Sequence, residues 1–151
     1  MKIQIDTREH KSELFRIQSQ FDSLGVEWFM KKLDVGDYMD HDRPIRSVDR
    51  KQSLLELCSN ITQQHDRFRR ELLRAIDSGI EPVILVEHGG GIKHLEDVWF
   101  WENPRLGTSP KATTGQQLYK SMITMASEYG VRFEFCNKRQ TGRRIMEILS
   151  E

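Results

Sequence analysis

The chain has 151 residues, of which 37% are hydrophobic and 30% charged, and its 23 lysines and arginines balance 23 acidic residues to a formal net charge of zero. That balance excludes attachment to a polyanion through overall charge, so any nucleic-acid contact must come from local clusters. The absence of an apolar run of membrane-spanning length and of a secretory h-region after Met1 leads us to expect one soluble domain over residues 1–151, intracellular and without a membrane partner, cytoplasmic or, in a bacterium, nucleoid-associated.

KIQID at 2–6 alternates as a strand does, and Leu14, Ile17, Phe21 and Leu24 then recur on one helical face up to Gly25. VEWFMKKL at 26–33 alternates again, and DVGDYMD and IRSVDRK read as the two arms of a hairpin around Asp42, Arg43 and Pro44. A long helical stretch starts at Ser53, is expected to break near Gln64 and His65, and resumes through Phe68, Leu72, Ala75 and Ile76 to Gly79. PVILVE at 82–87 is continuously apolar, which predicts a central strand covered on both faces. HGGG is a turn, either an ordinary strand exit or a place where backbone N–H groups approach a phosphate.

The following segment to Ala112 is irregular and partly helical; its Trp99, Phe100 and Trp101 suit either burial or stacking on bases or a partner. Thr114 can cap a helix that ends at Gly130, VRFEFC is a strand, and TGRRIMEILS is a last helix. The order predicts a mixed central sheet flanked by helices on both faces. Cys58 and Cys136 lie outside metal or disulfide spacings and read as small core residues, and His41 and His65 have no ligand-like partners.

The hairpin carries the chemistry. With a period of two, Asp49 and Lys51 share one face and Arg50 takes the other; centred on Arg43, the hairpin sets Asp37 opposite Asp49, with Cβ atoms roughly 5 Å apart. Facing carboxylates repel unless a cation lies between them, and Mg²⁺ is satisfied by one or two carboxylates plus water and substrate phosphate. Carboxylates, metal and a lysine make up the apparatus of metal-dependent phosphodiester hydrolysis, in which Asp6 and Glu9 could be further acids. The other reading of the same residues is the wet outer face of an exposed hairpin.

DTRE at 6–9, GDY at 36–38 and VDRK at 48–51, in that order, resemble the nuclease domain of the XPF family of structure-specific endonucleases, with the pattern GD, a gap, ERK, three residues and D. ILVEH at 84–88 and TGRRIMEIL resemble its central strand and final helix, so the likeness runs over nearly the whole chain. The resemblance implies an α/β, restriction-endonuclease-like fold and Mg²⁺- or Mn²⁺-dependent cleavage of DNA near branches or flaps. It implies Asp37 and Asp49 as metal ligands, Lys51 as the catalytic lysine, Arg50 as part of the catalytic motif, and Asp6 and Glu9 as supporting acids.

Two positions depart from the pattern. Asp49 replaces the family's glutamate, setting the carboxylate back by about 1.5 Å. Leu55 stands where the family has an acid; neighbouring Glu56 is either a supporting acid or the closing residue of a capping box begun by Ser53. A non-catalytic module that keeps the fold for DNA binding or dimerisation is one alternative function, and a junction resolvase or restriction-type nuclease is another.

For DNA contacts the sequence offers Arg67, Arg70 and Arg74, a stripe at helical spacing, and the C-terminal group Arg139, Arg143 and Arg144. Solvated helix faces would account for either group equally well. Helix-hairpin-helix units, which many such enzymes carry after the nuclease domain, are not expected within these residues, so stable targeting would call for a homodimer or a partner DNA-binding protein.

Overall fold

A computed structural model describes residues 1–151. The chain runs β1 (Lys2–Ile5), α1 (Lys11–Ser23), β2 (Glu27–Met30), β3 (Tyr38–Asp40), β4 (Arg46–Lys51), α2 (Leu54–Thr62), α3 (His65–Asp77), β5 (Glu81–Glu87), two 3₁₀ turns (Leu95–Phe100 and Pro104–Gly107), α4 (Gly115–Tyr129), β6 (Arg132–Cys136) and α5 (Thr141–Ser150). The strands form one six-stranded sheet in the order β2-β1-β3-β4-β5-β6. The β1–β3 and β3–β4 pairs are antiparallel, whereas β1–β2, β4–β5 and β5–β6 are parallel. This is the mixed, restriction-endonuclease-like arrangement expected from the sequence.

Helices cover both faces because the central strands are apolar on both. Along β5, Ile84 and Val86 enter a core shared with α2, α3 and α4, while Val83 and Leu85 enter a second core with Ile17, Phe21, Ile145 and Ile148 of α1 and α5. Burying each such side chain contributes about 1.5–3 kcal/mol, so the sheet is sandwiched rather than half wet. No helix is long and apolar enough to cross a membrane.

Several local expectations are refined. The second strand is shorter than 26–33: after Met30 the chain turns away, and the Leu33 N–H donates to Asp6 Oδ1 at 2.9 Å. The long helix does break, with Gln63 and Gln64 between α2 and α3. In the irregular segment Val98 is buried and Trp101 packs against the larger core, Trp99 meets Tyr119 edge-on, and Phe100 stays 79% exposed. Gly115 lets α4 sit tightly on this segment, since a Cβ there would lie 2.4 Å from the Trp101 carbonyl oxygen. Thr114 and Gln117 close a full capping box at the start of α4.

Candidate active site

Asp37 precedes β3 and follows Gly36, whose φ of +69° makes the turn and whose missing side chain leaves room for Ser47, 2.9 Å from where a Cβ would stand. The hairpin ladder pairs Tyr38 with Val48 and Met39 with Ser47, the register of a hairpin centred on Arg43. Asp37 lies one residue past that ladder. Its N–H donates to the Val48 carbonyl at 2.8 Å and its carbonyl accepts from Asp6 N–H at 2.8 Å, so its backbone is clamped between β1 and β4. Its side chain then accepts the Arg50 backbone N–H at Oδ2, also at 2.8 Å.

Asp49 and Lys51 project together from β4, with Lys51 Nζ 3.2 Å from Asp49 Oδ1 and 5.6 Å from the centroid of the Phe68 ring. The Phe68 contact, a cation–π support from α3, was not foreseen from the sequence. Burial, then Asp49, then Glu9 push the Asp37 carboxyl well above its usual range, against the Arg50 N–H and Lys51. Burial lowers the Lys51 ammonium, but Asp49, Asp37 and Glu56 more than offset it and raise its pKa. The three carboxylates thus favour the charged form of Lys51.

The cleft has a volume of about 330 Å³. Besides Asp37, Asp49 and Lys51, Glu56 lines it, and Arg8, Arg67 and Arg74 bring positive charge to its wall. Arg8, 61% exposed in its side chain, is fixed by Asp6 Oδ2 at 2.8 Å and the Leu33 carbonyl at 2.7 Å. Its place in the DTRE string gave no hint of this position.

Other expected residues are engaged by partners within the protein. Asp6 lines the cleft but is 2% exposed, and each of its oxygens already accepts a hydrogen bond, one from Leu33 N–H and one from Arg8. Glu9 accepts two hydrogen bonds from Arg50 and one each from the Tyr38 hydroxyl and His10 N–H; burial raises its pKa, but these donors more than offset it and the net shift is downward. It has no oxygen to spare for a metal. Arg50, expected within the catalytic motif, has a side chain 0% exposed between Glu9 and Glu87 and meets the cleft through its backbone N–H on Asp37.

Ser53 Oγ caps Glu56 N–H at 3.1 Å, but the Glu56 carboxylate reaches back to Gln52 N–H at 2.6 Å instead of Ser53, so the capping box closes one residue early. The arginine stripe also splits. Arg67 and Arg74 line the cleft, whereas Arg70 turns toward the α2–α3 junction. Arg139 and Arg143 are exposed on the opposite, α1/α5 side of the sheet, and Arg144 is held by Glu134 and Glu147, each at 3.0 Å.

No group of three His, Cys, Asp or Glu side chains converges on a metal position. Asp37 and Asp49 nonetheless fit a hard divalent cation of the sparse kind, since Asp37 Oδ1 and Asp49 Oδ2 accept no hydrogen bond from the protein and both donors are oxygen.

The architecture has solved counterparts. XPF from Aeropyrum pernix superposes with a TM-score of 0.70 at 23% identity, covering 99% of this chain and 63% of that one. The structure of XPF from Aeropyrum pernix in complex with DNA gives 0.69 with the same identity and coverage. This chain thus spans 63% of the length of those proteins, and at that identity the likeness speaks for the fold alone. Comparison with curated proteins gives no match. The family model of the ERCC4 domain matches residues 5–148, nearly the whole chain, and the chain therefore belongs to the ERCC4-domain family, a family of DNA nucleases.

Proposed function

We propose that this domain is a divalent-metal-dependent endonuclease that hydrolyses DNA phosphodiester bonds, and that its substrates are branched or flap DNA of repair or recombination. The observation that carries the reading is the meeting of Asp37, Asp49 and Lys51 in one cleft, with a free oxygen on each carboxylate. Asp37 Oδ1 and Asp49 Oδ2 would hold Mg²⁺ or Mn²⁺. Such an ion, when bound, supplies Lewis-acid polarisation of the phosphate and a more acidic water.

The chain's own groups do the rest. The Lys51 ammonium, kept charged by its carboxylate neighbours and braced by Phe68, is placed to donate hydrogen bonds to an oxygen of the reacting phosphate. Arg50 N–H orients Asp37 by occupying one of its two oxygens. Arg8, Arg67 and Arg74 would neutralise phosphates on either side of the scissile one, which positions the strand without reading its sequence. Because these contacts are few, a homodimer or a partner DNA-binding protein would supply lasting attachment.

Incubation with flap, fork, junction and plain duplex DNA in Mg²⁺, Mn²⁺ or EDTA tests the reading. Cleavage is expected with either metal, none in EDTA, and more on branched substrates than on duplex. Binding without cleavage in every metal would instead favour a DNA-binding module that has kept the fold.

A further inference from the structure

At the rear wall of the cleft, on the opposite face of β4, lies a cluster of charged side chains that the proposed chemistry leaves unused. The Arg50 guanidinium is enclosed by two carboxylates from distant parts of the chain. Glu9 accepts from Nε at 3.0 Å and Nη2 at 2.8 Å, and Glu87, the last residue of β5, accepts from Nη1. The Glu87 side chain is 0% exposed. Its second oxygen accepts from Arg16 Nη2 of α1 at 2.6 Å and from the Thr141 hydroxyl of α5 at 2.7 Å.

A buried carboxylate at the end of an otherwise apolar strand is costly to desolvate, and an apolar residue there would often serve stability as well. The geometry gives the charge another use. Arg50 is gripped from below through its side chain while its backbone N–H holds Asp37 Oδ2 from above at 2.8 Å. Because side chains alternate along a strand, fixing Arg50 also fixes the direction of Asp49 and Lys51 on either side of it.

We infer that Glu87 is a positioning residue of the active site: acting through Arg50, it sets β4 so that Asp37 keeps one oxygen tied and one free, with Asp49 alongside. Glu87 touches neither substrate nor metal. The inference rests on the reading of Asp37 and Asp49 as metal ligands, and it extends that reading to a residue on the far side of the sheet.

Its test is Mn²⁺ binding to the whole protein without DNA, followed by titration calorimetry, with circular dichroism and thermal melting alongside. Glu87→Gln keeps size and some hydrogen bonding but removes the charge that holds Arg50. It should fold and bind Mn²⁺ about 10–100-fold more weakly, the usual penalty for losing a group that orients a ligand. Arg50→Lys keeps the positive charge but loses the fork that spans Glu9 and Glu87, and should weaken Mn²⁺ in the same range.

Wild-type Mn²⁺ affinity in folded Glu87→Gln, with only a lower melting temperature, would overturn the inference and leave the metal site standing. If Glu87→Gln does not fold, Arg50→Lys decides on the same criterion, and failure of both to fold would assign the cluster to stability alone. Should the wild type show no Mn²⁺ binding that Asp37→Asn and Asp49→Asn remove, the metal-site reading falls and this inference with it.

Discussion

The two faces of β4 hold nearly the same kinds of side chain under opposite rules. On the face toward α1 and α5, Arg50, Glu9, Glu87 and Tyr38 are buried and matched donor to acceptor. On the face toward α3, Asp37 and Asp49 keep oxygens that nothing in the chain satisfies, and two like charges stand close enough for Asp49 to raise the Asp37 pKa. A fold has no use for the second arrangement. The saturated face satisfies itself, and the unsaturated one is the face the proposed metal site would use.

Exchanging charge for neutral groups on each face sharpens that difference, and the largest effect is expected in the cleft. Asp37→Asn, Asp49→Asn and Lys51→Ala should each reduce cleavage by at least about 10²-fold while leaving the protein folded. Single-turnover cleavage with circular dichroism checks both halves. A folded Lys51→Ala protein that cleaves at the normal rate would remove the lysine from the chemistry.

On the saturated face the same kind of change should strike stability. Arg50→Ala leaves the buried Glu9 without a cation, while Glu87 keeps Arg16 and Thr141, and breaking a buried pair in this way costs about 3–5 kcal/mol. Urea unfolding measures it. Replacing all three charges together with apolar residues should recover much of that loss, because it leaves no buried charge alone. A triple replacement no more stable than Arg50→Ala would show that the cluster does more than satisfy itself.

The Asp37 shift gives the comparison a pH signature. A carboxyl whose folded pKa lies above its unfolded value, about 3.9, binds more protons folded than unfolded between the two values. Metal-free stability should therefore lose this contribution as pH rises from about 4 through the raised value, and the full deficit should be present above it. Glu9 has the opposite sign: its lowered pKa contributes stability above about 4.3, which is lost as pH falls through the folded value. Asp37→Asn removes the first contribution. In EDTA its stability advantage over wild type should grow with pH from about 4, and saturating Mn²⁺ should shrink it by stabilising the wild type. A difference that does not change with pH would mean that the carboxylates are not strained.

Much of the cleft was legible because its logic is local. Period two put Asp49 and Lys51 on one side of a strand, the turn at Asp42 to Pro44 fixed the register, and the apolar run ending at Glu87 marked the sheet centre. What escaped depends on contacts with no sequence period. Asp6 and Glu9 read as free acids, yet their partners come from residues 33, 38 and 50. Arg50 entered through the resemblance, as the middle of the motif; its contact with Glu87, 37 residues on, has no counterpart in that local pattern. One signal was available: a carboxylate closing an apolar strand and an arginine on the inner face of a hairpin are opposite charges where core is expected, and such charges seek each other. The arginine stripe follows the same local logic, but three residues at helical spacing fan out enough that Arg67 and Arg74 line the cleft and Arg70 does not.

That fan supplies the smallest and most discriminating prediction. Each phosphate neutralised in duplex DNA contributes about −0.9 to the slope of log K against log salt. Arg67 and Arg74 line the cleft and Arg70 does not, so Arg67→Ala and Arg74→Ala should each make the slope shallower by about 0.9, while Arg70→Ala should leave it nearly unchanged. Arg139→Ala and Arg143→Ala, on the far side of the sheet, serve as controls with no expected change. Arg67 already has Glu71 at 3.4 Å, an exposed pair of little strength, so its charge remains available to a phosphate. Fluorescence anisotropy on duplex DNA in Ca²⁺, which should allow binding while slowing cleavage, gives the slopes. A loss confined to Arg139 and Arg143 would place the DNA on the α1/α5 face, away from the free carboxylate oxygens, and the cleft could then not be where the strand is cut.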